Sequence, residues 1–192
     1  MTGHRLLDEP HPFAFDSATL HYAPDRPVKP THLKLEVALD FDRASLRGVC
    51  TTALQAVRRV STVTFDAVEL EVDEVQVDGR AVQFDLNGKQ LHVHLAAPLE
   101  AGAKALVKVG YRATPRRGLY FLAPDKGYPK RPVQAWTQGQ DEDSRCWFPC
   151  LDAPTQKATS EVIATFPAEM IALSNGRKLS DTVARGLRTV HH

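Results

Sequence analysis

The stretch "HLKLEVAL", His32 to Leu39, alternates apolar and polar residues, with Leu33, Leu35, Val37 and Leu39 facing one way and Lys34 and Glu36 the other. Period-two alternation marks a strand with one buried face; an amphipathic helix would repeat its apolar residues every three or four positions. The same pattern governs most of the chain. "DFDRAS" reads as a turn and Ser45 to Val57 as the antiparallel return. Asp78-Gly79 and Asn87-Gly88 are tight-turn signals between β-branched runs, which predicts two linked hairpins. Leu70 and Val72 share one parity and Val75 and Val77 the other, so a bulge or strand break is expected near Asp73-Glu74. "AKALVKVGYRA" adds a strand with Val107, Val109 and Tyr111 on one face. Val162, Ala164 and Phe166 mark another, broken at Pro167 and followed by a turn at Asn175-Gly176. Helical periodicity does not extend over ten residues anywhere.

Roughly seven or more short strands with frequent turns point to an all-β fold, a saddle-like β-sandwich of two packed, mainly antiparallel sheets. At 192 residues and 43% hydrophobic, the chain can bury one domain core. Residues 1–30, broken by "DEPHPF" and "APDRPVKP", are expected to be an extended arm, and residues 31–192 the β-sandwich domain. Because "LRTVHH" stops within a fresh strand, the chain is expected to be a fragment of a longer protein. His191 and His192 read either as native residues or as the start of a tag.

Charge and apolar runs exclude some partners. Lys and Arg number 24 against 23 Asp and Glu, so the basic surplus that drives nucleic-acid binding is missing. No apolar run reaches the roughly 20 residues that cross a bilayer, and the N-terminal stretch has no signal-peptide core. Neither a nucleic-acid nor a membrane partner is expected. Three cysteines, Cys50, Cys146 and Cys150, are too few for a disulfide framework, and the expected location is the cytoplasm.

Candidate chemistry concentrates in "WTQGQDEDSRCWFPCLDAP", Trp136 to Pro154. Cys146 and Cys150 lack the second ligand pair of a zinc knuckle. His92 and His94 project from one strand face and could chelate a metal, but they read better as the solvent side opposite Leu91, Val93 and Leu95. The chain contains no HExxH. Asp141, Glu142 and Asp143 have no His or Lys beside them and read as a solvated or capping cluster rather than as catalysts. Cys146 has no nearby His to activate it, and the glycines lack phosphate-binding spacing. Ligand gripping remains: on an extended segment Gln138 and Gln140 would point the same way and offer two amide oxygens to one cationic group.

The ordered run Thr137, Gln138 and Gln140, Arg145, Phe148-Pro149 with Asp152 and Pro154, Lys157-Ala158-Thr159, and an expected hairpin at Ala172 to Asn175 resembles the end of the N-terminal domain in the aminopeptidase N family of zinc metallopeptidases. The close likeness covers about 40 residues, and "RRGLYF" upstream fits more loosely. The resemblance implies a saddle-like β domain whose partners are a downstream catalytic domain, outside this chain, and a peptide substrate with a free amino terminus. It also implies that Gln140 contacts the substrate α-amino group, with Gln138 beside it. Many members carry Glu at the Gln140 position; a neutral amide attracts an ammonium less, yet a hydrogen bond to a charged group still contributes roughly 1.5 to 3 kcal/mol. The family's zinc ligands and general base have no counterpart here, so zinc belongs to the parent protein and this chain alone is expected to bind none and to be inactive. Arg145, Pro149, Asp152 and Pro154 are expected to structure the loop, with Pro149 and Pro154 bracketing the "CLDA" turn, and Trp147 or Phe148 to anchor it in the core.

Two other readings stay open at this level. One is a non-catalytic relative acting as a protein-interaction scaffold, and the other is a free-standing β-sandwich that binds a partner or carbohydrate. A downstream HExxH with a later Glu separates them from the peptidase.

Overall fold

The computed structural model describes residues 24–192, so the first 23 residues of the expected arm lie outside the described residues. The alternating runs form strands. β1 (Val28–Asp40) pairs antiparallel with β2 (Ser45–Ala56) across the expected turn, where Asp40 Oδ1 accepts the Arg43 N–H at 3.0 Å. β1 starts at Val28 rather than at His32, because Val28 is itself a core residue and pairs with Ala56.

β3 (Val60–Asp66) precedes the two hairpins read from the Asp-Gly and Asn-Gly turns: β4 (Glu71–Val77) with β5 (Arg80–Ala81), and β6 (Phe84–Leu86) with β7 (Gln90–Leu99). Asp78 and Gly79 both have positive φ, +50° and +78°, the backbone a two-residue hairpin requires. The register of β4 against β8 (Lys104–Ala113) shifts between Val72 and Glu74, where the parity changes. The chain crosses between sheets at residues 82–83, so the two hairpins belong to different layers.

β9 (Leu119–Leu122) and β10 (Gln134–Thr137) form a separate two-stranded ribbon. β11 (Thr159–Pro167), β12 (Ser180–Ala184) and β13 (Leu187–His191) complete the set. The large sheet has the order β12-β13-β11-β1-β2-β8-β4-β5 and the small sheet β3-β7-β6. One pair in the large sheet is parallel, β1 with β11.

The core lies between these sheets. Leu35 and Val37 of β1, Leu46, Cys50 and Leu54 of β2, and Val107, Val109 and Tyr111 of β8 meet Val63 and Phe65 of β3 and Leu91 and Val93 of β7. Burying large apolar side chains of this kind contributes roughly 1.5 to 3 kcal/mol each. The fold is thus all-β, as the alternation predicts. The sole helical turn among the described residues is a 3-10 turn, Ser144–Cys146.

The C-terminal segment departs from expectation. Residues 171–179 lie outside the strands, with Ile171 78% and Leu173 91% exposed, so Ala172 to Asn175 is not a hairpin. The hairpin turn is at Arg185-Gly186, both with positive φ. Arginine seldom takes that conformation, so the pair carries no turn signal in the sequence.

Candidate functional site

The ribbon sets the entry to the polar loop. Its inner face, Leu119, Phe121 and Ala135, packs on the core, and Phe121 meets Phe41 edge to face at 5.5 Å. On its outer face Tyr120 stacks on Trp136, the residue opposite, with centroids 4.7 Å apart and an interplanar angle of 21°. One further rung follows, the Gln138 N–H donating to the Gly118 carbonyl at 2.9 Å.

Beyond that rung the chain folds back. The Asp143 N–H donates to the Gly139 carbonyl at 3.0 Å, winding residues 139–143 into a turn that runs into Ser144–Cys146. Gln138 is therefore a strand extension and Gln140 a turn residue; one extended segment carrying both does not exist. Both side chains are exposed, and among the described residues neither carboxamide has a hydrogen-bonding partner. Each can therefore turn its oxygen to an incoming donor.

The turn's support is charged and largely dry. Arg145 donates from Nε to Asp152 Oδ2 at 3.0 Å, from Nη2 to Glu142 Oε2 at 2.8 Å, and from Nη2 to the Asp152 carbonyl at 2.8 Å. Its backbone N–H also donates to Asp152 Oδ2 at 3.0 Å. Burial opposes the Arg145 charge, but the Asp152 hydrogen bond and the Asp66, Asp152 and Glu142 charges outweigh it and raise its pKa. Burial also lifts the Asp152 carboxyl above its ordinary value, against the lowering by Arg145.

A second carboxylate, which the sequence does not mark, anchors this cluster to the sandwich. Asp66, the last residue of β3, is 4% exposed and accepts Arg26 Nη2 at 2.5 Å and the Asp152 N–H at 3.0 Å. Its backbone forms a bridge with Cys150, Asp66 N–H to the Cys150 carbonyl at 2.7 Å and Cys150 N–H to the Asp66 carbonyl at 3.1 Å. Both acceptors lie in the dry interior, where an unpaired charge is expensive, so the loop has one arrangement that satisfies them.

Apolar anchors complete the hold. Phe148 and Pro149 are buried, and the half-buried Trp147 meets Phe148 edge to face at 4.5 Å. Pro154 does not bracket the turn after Asp152: it lies inside a turn closed by the Gln156 N–H to the Ala153 carbonyl at 2.9 Å. Proline presets φ for that second position.

Gly118 is a further residue the sequence leaves unmarked as a site. Its φ is +78°, and a Cβ there would lie 2.0 Å from the Asp143 carbonyl oxygen. Only glycine lets ribbon and loop approach this closely.

The other candidates separate. Asp141 is exposed, Glu142 is bound to Arg145, and Asp143 faces Arg117 at 3.4 Å, so the three acids do not act as a unit. The cysteines are free and buried. Burial pushes the Cys50 thiol up to about 12, Cys150 well above its ordinary value and Cys146 upward, so all three remain protonated and poorly nucleophilic at neutral pH. His92 and His94 flank Val93 on the outer face of the small sheet, His92 beside Thr64 at 3.0 Å and His94 beside Asp85 at 2.7 Å. Among the described residues no group of three or more His, Cys, Asp or Glu side chains stands where it could hold a metal ion, so the family's zinc does not fit the residues present. No helix among them is long and apolar enough to cross a membrane.

The fold and loop together define an accessory β domain that presents neutral amides on a rigid support. Residues 29–192 match the model of the Peptidase M1 N-terminal domain, and the chain belongs to that family. It is similar to aminopeptidase 2 of Candida albicans, 27% identical over 153 residues, covering 77% of this chain and 17% of that protein. It is also similar to leucine aminopeptidase 2 of Yarrowia lipolytica, 28% identical over 141 residues, covering 70% and 22%. Among solved structures, the M1 zinc metallopeptidase of Deinococcus radiodurans, a mutant bound to a Tyr-Ser-Ala substrate, superposes with a TM-score of 0.74 at 25% identity, over 86% of this chain and 39% of that one. The chain thus spans about a fifth of the length of these curated relatives.

Proposed function

We propose that this chain is the N-terminal domain of a cytoplasmic zinc aminopeptidase and that it supplies Gln138 and Gln140 to recognition of the substrate's free α-amino group. The observation that carries the reading is two exposed carboxamides, without partners among the described residues, on a loop pinned by Arg145, Asp152 and Asp66. A rigid support keeps the entropy of ordering the acceptors low when a ligand arrives. The family match and the peptide-bound Deinococcus relative support a peptide substrate. Three free, buried thiols support a reducing compartment.

In this division of labour the chemistry, zinc included, belongs to a downstream catalytic domain, and the isolated chain hydrolyses nothing. Residues 31–192 act as one domain, and residues 1–30 as its lead-in. A neutral amide can hold an ammonium by accepting its hydrogen bonds, and a carboxylate elsewhere in the parent would add the charge.

The test is Gln140→Ala in the full-length enzyme. The variant is expected to raise KM for peptides with a free amino terminus by about tenfold with little change in kcat, the loss of one hydrogen bond to a charged group. Unchanged kinetics would remove Gln140 from the site.

A further inference from the structure

The outer face of the ribbon is more specific than a generic solvent surface. Its three rungs are Gly118 with Gln138, Tyr120 with Trp136, and Leu122 with Gln134, and none carries a charge in a chain that is 24% charged. Trp136 is 45% exposed although its ring is already stacked on Tyr120. The inner face holds the ribbon on the core, so the stack is fixed from behind and open in front.

We propose that the Tyr120–Trp136 stack is a platform for the side chain of the substrate's amino-terminal residue, and that it selects large apolar residues, aromatic or long aliphatic, over small or charged ones. The inference rests on the reading that Gln138 and Gln140 receive the α-amino group. Gln138 and Trp136 share the outer face and lie two strand residues apart, about 6.6 Å. That span suits a Phe or Leu side chain leaving the Cα whose amine sits at the amides. Tyr and Trp offer large contact area with few torsions to freeze, and the stack has already fixed the two rings against each other. Gly118, opposite Gln138, adds no side chain that would fill the space between amide and rings. A charged amino-terminal side chain would find no counter-charge on this face.

The experiment measures equilibrium binding to the full-length protein of tripeptides whose first peptide bond is N-methylated, so that they bind without turnover. One series carries Ala, Leu or Phe first, and a second carries the same residues second behind Ala. Trp136→Ala is expected to weaken the Phe-first and Leu-first peptides about tenfold and the Ala-first peptide less than about twofold. Trp136→Phe should recover most of the loss. Trp136 is exposed, so the variant should fold, and an unchanged thermal unfolding midpoint checks this. Equal weakening of all three first-position peptides, no weakening, or an effect confined to the second-position series would each overturn the proposal. Gln140→Ala in the same assay separates the two readings. If it leaves all affinities unchanged while Trp136→Ala discriminates, the amide assignment fails and the platform stands; uniform weakening by Gln140→Ala with no discrimination by Trp136→Ala gives the reverse.

Discussion

Tyr111 shows how one residue can be well packed and imperfectly satisfied. Its side chain is fully buried in β8, opposite Gly48 of β2, and a Cβ at Gly48 would come within 3.0 Å of the hydroxyl. The hydroxyl has no hydrogen-bonding partner. Leaving such a group unpaired costs about 1 to 3 kcal/mol, and removing it restores most of that. Tyr111→Phe is therefore expected to leave stability unchanged or to raise it by up to about 1 kcal/mol in denaturant titration. A loss larger than that would mean the hydroxyl holds a buried water. The same balance explains Asp66 by contrast: it is equally hidden but bound to Arg26 and the Asp152 N–H, so its charge is matched.

Among the elements, the ribbon and the loop act as a pair because Gly118 lets them touch. Gly118→Ala combines a positive φ with a Cβ 2.0 Å from the Asp143 carbonyl oxygen and 2.9 Å from Trp147 Cδ1. Backbone has to shift, and the expected loss is about 2 to 3 kcal/mol in thermal or denaturant unfolding, with faster hydrogen exchange at the Gln138 and Asp143 amides. Wild-type exchange at those amides would show that ribbon and loop are independent. Elements of this kind were legible where the physics is local. The Asp78-Gly79 turn and the register shift beside Asp73 could be read because turn backbone and side-chain parity are written into neighbouring residues. The Arg185-Gly186 hairpin could not, since only tertiary context drives arginine to positive φ. Likewise, Gln138 and Gln140 could be singled out by residue type, but the turn from Gly139 to Asp143 that separates them depends on an approach made from Gly118. Asp66 looked like an ordinary strand end, because the Arg26 that pairs with it is 40 residues away.

For the whole molecule, the buried titratable groups set a limit at alkaline pH. Burial holds Cys50 up to about 12 and both Cys150 and Tyr111 well above their ordinary values of 9.0 and 10.0. From about pH 9 upward the unfolded chain releases protons that the folded chain keeps, so the folded state binds more protons and loses stability as pH rises. The urea midpoint is expected to fall steadily between pH 8 and pH 11; a flat profile would show that these groups titrate alike in both states. Topology imposes a further demand. His32 is synthesised 127 residues before Thr159, its ladder partner across the parallel β1–β11 pair. At ordinary translation rates that interval is about 6 to 25 seconds. Throughout it β1 can pair with β2 but offers its other edge to any neighbouring chain, so a nascent or truncated polypeptide ending before Thr159 carries an unguarded aggregation template that the finished domain does not.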